Sequence, residues 1–90
     1  MASYFIVTET KDSYQVVYYL RSCERKLEIP KSEFAGNPDF VSENSILSCI
    51  QDKINTYFNC SGVIDIKMDE SVRDSIKLIA AENWKKYNSN

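Results

Sequence analysis

The sequence predicts an α+β domain of order β-β-β-α-β-α, with a β-hairpin, a third strand and a short fourth strand forming an antiparallel sheet packed against two helices. Three patterns carry this reading. Residues 4–8 and 14–20 are dense in β-branched and aromatic side chains around the polar stretch Thr10-Lys11-Asp12-Ser13, and such side chains pack well on a pleated, half-buried surface. Residues 26–29 alternate charged and apolar, which is the period of a strand with one buried face. Two later stretches repeat apolar residues at three- and four-residue steps, which is the period of a helix with one buried stripe.

The hairpin comes first because it sets the faces. Lys11-Asp12 lacks the Asn-Gly signal of a tight primed turn, so the loop has two residues or four. Either length sets Glu9 opposite Tyr14; a three-residue loop with a bulge would break that parity. One face then carries Phe5, Val7, Val16, Tyr18 and Leu20. The other carries Tyr4, Ile6, Thr8, Gln15, Val17, Tyr19 and Arg21. Taking Ser22 to Arg25 as a connection and pairing Leu20 with Leu27 adds Leu27 and Ile29 to the first face, and Lys26 and Glu28 to the second. The first face is the core side.

Downstream, Pro30 lacks the N–H that a ladder needs and ends the third strand. Gly36-Asn37-Pro38-Asp39 carries turn chemistry, and Phe34 and Phe40 are placed to pin this irregular stretch to the core edge. Ser42 caps a helix reaching about Phe58 with Ile46, Leu47, Ile50, Ile54 and Phe58 on its apolar stripe, a start at Pro38 being the alternative. Gly62 is free to close it in the left-handed conformation. Residues 63–67 read as the short fourth strand. Asp69 caps the last helix, whose apolar side is Val72, Ile76, Ile79, Ala80, Trp84 and Tyr87, with Leu78 pointing away.

Ninety residues with an ordinary share of apolar and charged side chains make one domain with a modest core. The formal net charge is −2 and no basic block occurs, which sets nucleic-acid and anionic-membrane binding at a disadvantage. No run is long enough to span a membrane and no signal-peptide pattern opens the chain, so a cytoplasmic location is expected. Three cysteines, Cys23, Cys49 and Cys60, suit reduced thiols, with a Cys23–Cys60 pair left open.

The absence of histidine removes the commonest general base, the Ser-His and Cys-His nucleophile pairs and most zinc sites. The cysteines lack metal-ligand spacing and the two glycines form no phosphate loop. Asp65, Asp69 and Glu70, and separately Asp39 and Glu43, could form acid–base pairs, although helix capping explains both groups more simply. No enzyme, cofactor or metal is expected.

What needs a function is the second sheet face. A solvated face should be mostly polar, yet Tyr4, Ile6, Val17 and Tyr19 would gather roughly 300 Å² of apolar surface there. Either the chain covers it with a helix or its C-terminal segment, or a partner does. The expectation is a small regulatory or inhibitory protein that binds another protein, or itself as a homodimer, through Tyr4, Ile6, Thr8, Val17, Tyr19, Arg21, Lys26 and Glu28. Strand addition at an exposed edge, the first strand or the third, is a further route. Single-stranded nucleic acid stacking on the same Tyr, Arg and Lys face is the alternative.

Overall fold

The computed structural model describes residues 3–20, 23–59 and 64–88, with residues 3, 19, 20, 23 and 64 described by their backbone. Strands β1 (Ser3–Glu9), β2 (Ser13–Leu20) and β3 (Cys23–Pro30) are followed by a single 3-10 turn at Lys31–Glu33. Helix α1 (Glu43–Phe58), strand β4 (Ile64–Met68) and helix α2 (Glu70–Asn88) complete the order. The chain is an α+β fold with a four-stranded mixed sheet in the order β3-β2-β1-β4.

The hairpin has the predicted parity. Glu9 lies opposite Tyr14 and Phe5 opposite Tyr18. Its loop is the two-residue version, closed by the Thr10 N–H donating to the Ser13 carbonyl at 2.8 Å and the Ser13 N–H donating to Thr10 Oγ1 at 3.1 Å. The β2–β3 register differs from the expectation. Leu20 faces Cys23 and Leu27 faces Val16, so Cys23, Glu24 and Arg25 belong to the strand. Their polarity suggested a connection, but a strand with one free edge tolerates charged side chains there. The slip amounts to four places, an even number, so each side chain keeps its predicted face.

The expectation of a wholly antiparallel sheet is overturned at β4, which runs parallel to β1 with Phe5 opposite Ile66 and Val7 opposite Met68. The reason is directional. β3 runs the same way as β1, and α1 carries the chain back along the sheet before β4 begins. A strand entered from that end can only repeat the direction of β3. This insertion also makes β1 an interior strand, leaving β3 and β4 as the edges.

One core lies between sheet and helices. Phe5, Val7, Tyr14, Val16 and Ile29 from the sheet pack with Ile46, Ile50, Ile54 and Phe58 of α1 and Val72, Ile76 and Ala80 of α2. Ser42 caps α1 as its hydroxyl accepts from the Ser45 N–H at 3.2 Å. The left-handed residue at the other end is Asn59, φ 51°, a side chain type that tolerates this conformation; Gly62 lies outside the described residues, as do Cys60 and the Cys23 side chain. The predicted stripe of α2 is rotated at its far end. Asn83 is buried while Trp84 and Tyr87 are exposed. The Asn83 amide donates to the carbonyls of Phe34 and Phe40, each at 2.8 Å, and its oxygen accepts from the Gly36 N–H at 2.7 Å. Phe34 and Phe40 do anchor this loop, edge-to-face at 5.0 Å, and Gly36 turns it at φ 77°.

Candidate functional site

Strand alternation places the second-face residues on the side of the sheet away from both helices, and among the described residues no element lies over them. The registers order them into rows. Lys26, Val17, Ile6 and Lys67 lie side by side across β3, β2, β1 and β4. Toward one end follow Glu28, Gln15 and Thr8; toward the other, Glu24 opposes Tyr19 and Tyr4 opposes Asp65. The central strands thus supply the apolar and aromatic groups, and the two edge strands supply charges.

Exposure is uneven across this face. Tyr4 is 42% exposed, with Thr8, Lys26 and Glu28 also exposed and Ile6 half-buried. Val17 is only 8% exposed. It sits between Ile6 and Lys26, and a lysine's methylene stem can shield an aliphatic neighbour while its ammonium stays in water. The aliphatic centre is therefore smaller than its residues alone suggest. Lys67 sets its ammonium 5.0 Å from the centre of the Tyr4 ring, an attraction between charge and ring face. Lys26 pairs with Glu24 at 3.2 Å, and the Ser13 hydroxyl donates to Glu28 Oε1 at 2.8 Å. A shallow cleft of about 350 Å³ runs beside Tyr4, Ile6, Thr8 and Lys67. The Tyr19 side chain and Arg21 lie outside the described residues, so six of the eight predicted contacts are seen with their side chains.

Two further surfaces stand apart from this face, the one on α2 being where Leu78 was expected as a lone exposed residue or a second contact. A groove of about 410 Å³ separates the β3 edge from α1, with Leu27, Ile29, Cys49, Asp52, Lys53 and Tyr57 along it. Burial pushes the Cys49 thiol up from its usual range, against the nearby Lys53 charge, so it is not primed as a thiolate nucleophile. The second surface lies on α2, where Leu78 (60% exposed) and Trp84 (54%) join Val41 and Ala81 around about 560 Å³. The outward Leu78 was the available signal for it; the neighbouring Trp84 was misassigned to the core side.

Of the acidic residues considered for catalysis, Asp69 borders the shallow cleft beside Tyr4 and Lys67. Asp65, Asp69, Glu70 and Asp39 are exposed. Among the described residues no cluster of three His, Cys, Asp or Glu side chains could hold a metal ion, and no helix is long and apolar enough to cross a membrane. No protein-family model matches the chain, and no curated protein or solved structure matches it either.

Proposed function

We propose that this is a non-enzymatic regulatory or inhibitory domain that holds another protein against the open face of its sheet. The supporting observation is the one-sided layering: both helices share one core, while the opposite face presents Tyr4, Ile6 and Thr8 between charged edge strands. An apolar and aromatic centre within a charged rim is the anatomy of a transient interface. Tyr4 is the anchor, since an exposed tyrosine offers a large, rigid contact at small entropic cost.

The test is affinity capture from host lysate with the wild-type chain and with Tyr4→Asp. The substitution should leave the fold intact, because Tyr4 lies outside the core, and weaken capture by about tenfold or more. A folded Tyr4→Asp chain that retains every partner at full strength rejects the open face as the docking surface.

Nucleic acid is the second reading, favoured by the pairing of Tyr4 with Lys67 and by Lys26 on the same face. Against it, the described side chains of that face include the carboxylates of Glu24, Glu28 and Asp65 beside those two lysines. Phosphate attraction needs an excess of cations. Binding to mixed single-stranded oligonucleotides that falls steeply with salt would select this reading over the first.

A further inference from the structure

We infer that two copies of this chain pair antiparallel along β3, about a two-fold axis at Leu27, joining their four-stranded sheets into one. The inference concerns the sheet edge and does not rest on the open-face reading.

Among the described residues β3 is the last strand on its side of the sheet, and half of its backbone groups have no ladder partner there. The Lys31 N–H donates to the Asp12 carbonyl at 2.8 Å, which fixes the alternation: odd positions turn their N–H and C=O toward β2, even positions turn theirs to the open side. Those even positions are Glu24, Lys26 and Glu28. An edge lysine ordinarily guards against strand pairing, but this lysine stands between two glutamates, so an antiparallel copy offset from Lys26 sets each lysine against a glutamate.

Charge selects the register. With the axis at Leu27, Lys26 of each copy lies opposite Glu28 of the other, giving two opposite-charge pairs. With the axis one residue earlier, Lys26 would face Lys26 and Glu24 would face Glu28, and like charges directly opposite are destabilising. On the helix side the Leu27 register is also self-consistent. Leu27 meets Leu27, and Arg25 of one copy lies beside Ile29 of the other, at the groove bordered by Asp52. Lys53 in that groove is already paired with Glu33 at 2.8 Å, and among the described residues Asp52 has no ion-pair partner, so its carboxylate is placed to receive the incoming guanidinium.

The experiment is the solution mass of the wild-type chain, of Lys26→Glu, of Glu28→Lys and of an equal mixture of the two variants, by sedimentation equilibrium. The wild type should be a dimer. Each reversal alone creates two like-charge pairs by symmetry and should weaken the dimer by about tenfold. The mixture should recover it, since Glu at position 26 then meets Lys at position 28 and the remaining Glu28 meets Lys26. Circular dichroism verifies that both exposed substitutions leave the fold intact. A wild type that is monomeric throughout overturns the inference and leaves the edge to a foreign strand. A dimer indifferent to both reversals, one not restored in the mixture, or one abolished by Tyr4→Asp instead also overturns it.

Discussion

At the end of the sheet where β1 begins, closure is aromatic: Phe5 stacks on Tyr18 at 4.8 Å, and both rings meet Phe58 of α1 at 5.1 and 5.6 Å. At the opposite end, where β1 stops and the loop after β3 folds over, closure depends on polar groups. Asn83 binds three backbone groups of that loop, the Tyr87 hydroxyl donates to the Gly36 carbonyl, and Tyr14 shares a hydrogen bond of 2.7 Å with Ser75. The difference follows from the backbone. Strands satisfy their own N–H and C=O groups in the ladder and need only apolar filling. An irregular loop pressed onto a core has no ladder, and each buried carbonyl requires a donor from elsewhere. One end of the molecule is held by area alone, the other by the buried rings of Tyr14 and Phe34 together with hydrogen-bond geometry.

Substitutions at the two ends should separate these modes. The largest effect is expected from Phe5→Ala at the aromatic end, where Phe5 is fully buried. Loss of transfer energy together with the cavity left behind should cost about 4 kcal/mol, read as a fall in urea midpoint. Asn83→Leu keeps the volume but strands two carbonyls and the Gly36 N–H, and should cost about 3 kcal/mol. Its signature is local: the Gly36 amide should exchange far faster with solvent, while Phe5→Ala should change it only through global unfolding. If Asn83→Leu proves as harmless as a surface change, the polar end is not organised by its amide and the contrast fails.

The smallest effect concerns pH, also at the polar end. Glu9 lies 2.7 Å from Lys31, which in turn donates to the Lys11 carbonyl at 3.2 Å. The hydrogen bond from Lys31, helped by one from Ser75 and by the Lys31 charge, holds the Glu9 carboxyl below the usual glutamate range despite the opposing push of burial. A carboxyl depressed on folding contributes stability above its unfolded pKa and loses it as pH falls through the folded value. Glu9→Gln should therefore be less stable than wild type at neutral pH, with the gap closing under acid. A gap that stays constant down to acid pH would mean that the ion pair contributes nothing and packing alone accounts for the difference.

The regions that could be read from the sequence are those whose cause is local. Hairpin parity needed only the strand-forming runs and an even loop, and α1 needed a serine cap and an isoleucine stripe. The direction of β4 depends on where a helix many residues away delivers the chain, and no neighbouring side chain encodes that. Asn83 was missed because a polar residue at helical spacing reads as solvent-facing unless the loop it serves is already placed. On the open face, alternation predicted which side chains share a surface, but the burial of Val17 depends on its neighbours across the strands, Ile6 on one side and Lys26 on the other. The first strand looked like an edge for the same reason that β4 could not be placed.

The interior position of β1 has a kinetic consequence. Its pairing with β2 closes a loop of two residues and can form within the first twenty residues of the chain. Its pairing with β4 spans most of the polypeptide, and long-range closure is entropically costly and slow. The expectation is that the hairpin forms early with one flank of β1 bare, and that closure of Ile66 beside Phe5 is the slow step. Stopped-flow refolding of an Ile66→Val variant would report this as a slowed folding rate.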